Sequence, residues 1–485
     1  MKNEGMRARM INLLGKQPEP PEAPEALQAA EAPEAAEPPQ AAEPPEHLEP
    51  PQAPEATIAQ TSPTSAAADT PAAPASSKAP AAVKPAKAPM AVLMLEDGSC
   101  FVGTSSGVPG EEIGEISFNT AMIGYPEVIS DPANAGQIVM LTYPQVGNYG
   151  IARADLESDS LWLKALVTRE ICPTPSNYRC DISLPDFLAE QGIVGITGID
   201  TRSLTHVLRE KGAMQAIVST VDLNPDSLLQ KIHNAPRSED DNLVAKLSCD
   251  KPYLFEMNDQ HASWFDPVTE ACMKVIAVDL GVTCSSLNDL VRLGCAVIVV
   301  PWDTSTADIL GYQPDGVVFS TGPGNPSALG ATIEAAADLM GRLPILGIGL
   351  GHQVLALAAG GEVEKMKNGH RGPNYPVSSL ASEKVAISSQ NHGYTVRFSS
   401  MGIRPPQTAD EGEADVLVNQ KYGRVQLSET NLNDQTVEGL RYLDVMAVGV
   451  EYQPEVAGDS QEMNAYNSFI QLISTYMALE EASSK

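Results

Sequence analysis

Between Leu343 and Gly361 the chain reads LPILGIGLGHQVLALAAGG. An apolar run leads into three alternating glycines, and a second apolar run ends at a glycine pair. This pattern predicts a strand, a sharp turn and a helix with a glycine cap. It is the geometry of a nucleophile elbow, where a reactive side chain stands on a strained turn and the next N–H helps bind an oxyanion. The residue at the tip is Gly349, which carries no nucleophile. Taken alone, such a glycine pattern is ordinary strand–helix packing. The other thiols lie elsewhere, at Cys100, Cys172, Cys180, Cys249, Cys272, Cys284 and Cys295. Only Cys284 stands near a predicted strand end, and it has neither an elbow nor a histidine partner. Scattered cysteines without C-x-x-C spacing read as reduced thiols of a cytoplasmic protein. No histidine spacing suits zinc, so no metal is expected.

The elements around the turn follow a regular rhythm. From Met273 onward, KVIAVDLG, CAVIVVP, PDGVVFSTGPG and LPILGIGLG read as apolar strands. SSLNDLVRLG, TIEAAADLMGR and GHQVLALAAGG read as helices between or after them. Alternating β and α with apolar strands predicts a parallel sheet covered on both faces. Ligands of such sheets bind at the carboxyl ends of the strands, here Gly281, the loop Ser320–Pro326 and the GIGLGHQ turn. Upstream, AVLMLEDGSCFVGTSSG reads as strand, Asp-Gly turn, strand. DFLAEQGIVGITGIDTRSLTHVLREKG reads as helix, strand, and a helix starting near Asp200. This earlier region is α+β and ends around Asp250.

The first 90 residues are of another kind. Of 39 prolines, 18 lie between Gln17 and Met90, among Ala and Glu and with few bulky apolar residues. Such a segment buries too little surface to offset chain entropy and reads as a disordered, polyproline-biased spacer. Met6–Lys16, MRARMINLLGK, has the apolar spacing of a short amphipathic helix, a frayed terminus or a docking peptide. The expected domains are therefore 1–90, 91–255 and 272–480. A formal net charge of −31 argues against nucleic-acid and anionic-membrane partners. No apolar run reaches the roughly 18 residues a membrane span needs.

Further segments give the elbow its context: STGPGNP at 320–326, KMKNGHRGPNYPV at 365–377, SSQNHGY at 388–394 and GVEYQPE at 449–455. With GIGLGHQ, this set resembles the class I glutamine amidotransferase domain. LEDGSCFVG, FNTAMIGYPEVISDP, LTYPQVGNYG and GIDTRSLTHVLREKGAM extend the resemblance to the small subunit of carbamoyl phosphate synthetase. It covers nearly all of residues 91–480 and none of 1–90. It implies an α/β fold, with an N-terminal α+β small-subunit domain before an amidotransferase-like parallel-sheet domain.

In that family a Cys on the elbow attacks the glutamine side-chain amide, a His activates it, and an acid two residues later orients the ring. Ammonia then passes to a large subunit, which binds ATP and Mg and makes carbamoyl phosphate for arginine and pyrimidine synthesis. This chain has Gly349 at the nucleophile position and Gln453 at the base position, while Glu455 keeps the acid. Ala133 replaces a glutamine-contacting Ser, GVTCSS at 281–286 replaces a Lys-bearing loop, and Asn325 replaces the usual Asp. Losing a covalent nucleophile costs about 10⁶ in kcat, roughly 8 kcal/mol of barrier. The resemblance also implies a retained pocket. Backbone N–H groups of Gly322, Gly324 and Leu350 would face substrate, and Gln353, Asn391, Gly393 and Tyr394 match glutamine-contacting positions. Of the histidines, His352 is expected to be structural, His370 to pack in a loop, and His392 not to be the base.

Three functions are compatible with these residues. The first is a structural or regulatory small subunit with a degenerate glutaminase site, glutamine as a bound ligand, and a large subunit using free ammonia. The second is a stand-alone binding or scaffold protein docking through residues 6–16. The third is a glutaminase with an unrecognised nucleophile such as Cys284.

Overall fold

The computed structural model describes residues 89–237, 241–257, 272–404, 415–454 and 464–484. The N-terminal segments 6–16 and 17–88, and Glu455, lie outside the described residues.

The first half is built on seven strands: β1 (Met90–Leu95), β2 (Cys100–Ser105), β3 (Glu111–Asn119), β4 (Gln137–Leu141), β5 (Ala165–Val167), β6 (Val194–Thr197) and β7 (Met214–Ser219). They close into a barrel in the order β1-β2-β6-β5-β4-β3-β7. The Asp-Gly turn joins β1 to β2 as expected, with Gly98 at φ 87°. Closure itself was not anticipated, because it depends on β1 pairing antiparallel with β7 more than a hundred residues later.

Alternation along β1 explains how the barrel is filled. Ala91, Leu93 and Leu95 share one core with Ile116, Ile138 and Ala216, and with Leu204 and Leu208 of helix α3 (Thr201–Lys211). Val92 and Met94 point the other way and pack on Leu228 and Ile232 of α4 (Pro225–Asn234). Asp200 caps α3 by accepting from Ser203 N–H at 3.1 Å, as its sequence position suggested. Two further helices, α1 (Tyr125–Ser130) and α2 (Leu184–Glu190), cover Val139, Leu141 and Leu166.

In the second half, β8 (Met273–Asp279), β9 (Cys295–Pro301), β10 (Gly316–Phe319) and β11 (Ile345–Ile348) run parallel in the order β9-β8-β10-β11. The sheet continues from β11 into β17 (Ala447–Val450), also parallel. Beyond β17 lies an antiparallel extension of β16 (Val437–Tyr442), β15 (Gly423–Asn431), β12 (Glu362–Ser379) and β13 (Val385–Arg397), with β14 (Val416–Asn419) beside β15. Ile276, Val278 and Phe319 face one side, under α6 (Thr306–Gly311), α7 (Gly330–Leu339) and α8 (Leu350–Ala358). Val275, Ala277 and Val318 face the other, under α5 (Cys284–Arg292) and α9 (Ala465–Ser484). Both faces of the parallel sheet are thus covered, which is what continuous apolar strands require. No described helix is long and apolar enough to cross a membrane.

Candidate functional site

The turn after β11 has the conformation the glycine pattern predicted. Gly349 has φ 54° and ψ −112°, and α8 starts at the next residue. Only glycine takes such backbone angles without strain, which typically costs other residues about 1–3 kcal/mol. The turn is held by Gly349 N–H donating to Val450 O at 2.8 Å, while its carbonyl accepts from Gln353 N–H at 3.1 Å. A Cβ built on Gly349 would lie 3.2 Å from Thr321 Oγ1 and 3.6 Å from Glu451 O, so the backbone angles and a tight Thr321 contact both strain a side chain there.

A cleft opens beside the turn. Ala133, Gly322, Gly324, Leu350, Gln353, Asn391, Gly393 and Tyr394 all line it, which brings together every position the sequence suggested for ligand contact. Ala133 comes from the barrel half, and the others come from three separate segments of the sheet half. Gly322 must be glycine for another reason: a Cβ there would sit 1.9 Å from Leu280 O. Asn325 caps the single turn Pro326–Ala328 by accepting from Ser327 N–H at 3.0 Å, a role an Asp carboxylate would also fill.

The walls of the cleft are fixed by contacts that the sequence did not reveal. Asp131 accepts from Ala133 N–H at 2.8 Å and from Asn391 Nδ2 at 2.7 Å, so one carboxylate holds both halves of the cleft. Burial pushes that carboxyl above the usual range, although both hydrogen bonds oppose the shift. The Asp-Pro step before a short helical turn was a signal that could have marked it. Gln353 donates from Nε2 to Glu451 Oε1 at 2.6 Å and to Tyr394 O at 3.1 Å. Glu451 is buried, and burial raises its carboxyl pKa well above the usual range, although the Gln353 hydrogen bond opposes the shift.

His352, His370 and His392 are all buried. His352 is wholly buried on α8, and burial pulls its pKa down to about 3, in keeping with a structural role. His370 lies on strand β12, not in a loop, because the KMKNGHRG segment pairs with β13 across from His392. Its Nε2 meets Asp434 Oδ2 at 2.9 Å. Burial lowers its pKa, but Glu438 and Asp434 outweigh that and leave it raised. His392 has Nδ1 2.8 Å from Tyr394 O and Nε2 3.0 Å from Gln390 Oε1. Burial, then neighbouring His370, hold it down at about 3.

Gln453 does not line the cleft. It borders an adjacent cavity of about 520 Å³, with Asp131, Glu157, Ser285 and Asn391. Its Nε2 donates to Thr283 Oγ1 at 3.0 Å and to Ser285 Oγ at 3.1 Å. The GVTCSS loop and Gln453, singled out separately in the sequence, are therefore in contact. Cys284 opens on a different cavity with Cys249 and Asp279. Burial, reinforced by Glu157, pushes its thiol up to about 11, so it holds its proton at neutral pH and is a poor nucleophile.

A parallel sheet with a glycine turn at a strand's carboxyl end, fused to a closed barrel that completes its cleft, defines an amidotransferase-type architecture. The chain belongs to the carbamoyl phosphate synthase small chain family. Residues 93–218 match the family described as "Carbamoyl-phosphate synthase small chain, CPSase domain", and residues 276–472 match "Glutamine amidotransferase class-I". The carbamoyl phosphate synthase small chain of Syntrophotalea carbinolica is 41% identical over 369 residues, covering 76% of this chain and 93% of its own. That of Thermotoga maritima is 42% identical over 380 residues, covering 76% and 94%. That of Thermosynechococcus vestitus is 42% identical over 371 residues, covering 76% and 92%.

Proposed function

We propose that this chain is a small subunit of carbamoyl phosphate synthase whose glutaminase site is silent, and that it supports a large subunit fed by free ammonia. The observation that carries this reading is Gly349 at the elbow, where φ 54° and ψ −112° present no side chain to the cleft. Gln453 at the base position supports it, because an amide cannot take and return a proton near neutral pH. The raised thiol of Cys284 and the downward-shifted His352 and His392 offer no replacement pair.

The preserved cleft suits glutamine as a bound, unreacted ligand. Among the described residues, the N–H groups of Gly322, Gly324 and Leu350 donate to no protein acceptor and remain free for a substrate oxygen. A large subunit would bring ATP and Mg, and the exposed Met122 and Ile123 of the FNTAMIGYPE segment offer apolar docking surface to it. Seven free thiols support a cytoplasmic setting.

Two assays test the proposal. Glutamate release from glutamine stays at background with or without a large subunit; turnover near ~1 s⁻¹ would overturn the silent site. Carbamoyl phosphate, trapped as citrulline, forms from ammonium and not from glutamine; equal rates would refute the nitrogen source. Failure of the two chains to associate would point to the stand-alone scaffold.

A further inference from the structure

We infer that Gln453, Thr283, Ser285 and Glu157 form a latch across the junction of the two folded halves, with Gln453 as a positioning residue for the first turn of α5. The inference goes beyond the silent-site reading and does not require it, since it stands on contacts alone.

The first turn of α5 is gripped from two sides. On the barrel side, Cys284 N–H donates to Glu157 O at 3.0 Å, and Ser285 N–H donates to Glu157 Oε2 at 3.0 Å. These two N–H groups at the helix start have no intrahelical acceptor, and the Glu157 oxygens satisfy them. Glu157 is itself anchored, its N–H donating to Ser130 Oγ at 2.9 Å. On the other side, the two protons of the Gln453 amide go to the Thr283 and Ser285 hydroxyls. Gln453 is held at its backbone, where its N–H donates to Ser389 O at 2.9 Å. Thr283 is wholly buried and is the N-cap of α5.

The chemistry of this match is specific. A primary amide presents two N–H donors from one nitrogen, and two hydroxyl oxygens receive them. A neutral imidazole has a single N–H and could serve only one of them. The residue at 453 and the hydroxyls at 283 and 285 therefore act as one unit. The Glu157 contacts span 128 residues and join the two halves, while the Gln453 contacts span 168 to 170 residues within the sheet half and hold the same helix start from behind.

The test uses the full chain, read by urea unfolding and by hydrogen exchange of the Cys284 and Ser285 amides. Gln453→Met keeps length and volume but removes both donors, and Ser285→Ala removes one acceptor. Each should speed exchange at these two amides about tenfold, the equivalent of one lost hydrogen bond. Their destabilisations should overlap, so that the double variant is no worse than the worse single one. Ser285→Thr retains the hydroxyl and should keep wild-type exchange. Glu157→Ala probes the same amides from the barrel side and should also speed exchange, so the latch stays testable if Gln453→Met does not fold. Additive destabilisation, or unchanged exchange in Ser285→Ala and Glu157→Ala, would overturn the latch.

Discussion

The two sides of the candidate site differ in what builds them. The cleft side consists of loop backbone, glycines and side chains locked by buried contacts: Gly322, Gly324, Gln353 on Glu451, and Asn391 on Asp131. The side with the elbow and Gln453 depends, for any covalent chemistry, on two particular side chains. The first side is a product of the fold and persists as long as the fold does. The second can change at two positions without disturbing the sheet, because glycine relaxes the turn and glutamine finds new partners in Thr283 and Ser285. A binding geometry and a reactive geometry in one domain are thus separable, and on the function proposed above this chain keeps the former without the latter.

The sharpest way to break this contrast is to restore the reactive side. Gly349→Cys alone should stay silent, since a thiol without a base is mostly protonated at neutral pH. Gly349→Cys with Gln453→His should release glutamate about 10²-fold faster or more, the usual gain from a positioned base. Adding Ala133→Ser should raise the rate again. Equal rates for the single and double variants would mean that position 453 is not the base position.

A smaller effect concerns the junction beneath the two sides. Burial raises the Glu157 carboxyl to about 7, although Ser285 hydrogen bonds oppose the shift. Because the folded chain then binds a proton that the unfolded chain releases near pH 4.5, this group's contribution falls as pH rises from about 4.5 to 7. Glu157→Gln keeps an acceptor oxygen and removes that ionisation. It should stabilise the protein at pH 8 by on the order of 2 kcal/mol and flatten the pH dependence of urea midpoints. A variant that loses stability at pH 8 would show that the ionised carboxylate is needed at the helix start.

An effect of similar size is expected at Asp131, which joins the halves of the cleft. Asp131→Ala should lower stability by about 1–3 kcal/mol, the cost of leaving buried donors unpaired, and weaken glutamine binding measured by calorimetry. Unchanged binding would mean that the cleft is held by other contacts. The smallest effect is expected from removing residues 1–88. Their composition is poor in bulky apolar residues, so the melting temperature is expected to change by no more than about 0.5 kcal/mol of stability implies. A larger loss would mean that they pack on the body.

Much of the local structure was legible. The apolar strands from Met273, the helices between them and the turn at Gly349 carry their periods and glycines openly. Asp200 announces a helix start in the same way. The closed barrel and the antiparallel extension were not legible. β1 meets β7, and β12 meets β15, through pairings between residues distant in sequence that no local pattern encodes. His370 was misplaced in a loop for a related reason: its segment has a glycine on either side, yet pairing with β13 makes it strand.

Sequence alone determined the chemical inventory: a net charge of −31, no thiol at 349, no imidazole at 453, and the order of strand, turn and helix around them. Those follow from residue type and short-range spacing. The tertiary structure decided where the inventory points. It placed Gln453 on Thr283 and Ser285, Asn391 on Asp131 and Glu157 at the start of α5, across separations of 128 to 260 residues. Such partners meet only because the sheet's own topology and the packing of the barrel against it fix their distances, and buried polar groups then take whichever donors or acceptors that packing leaves within reach.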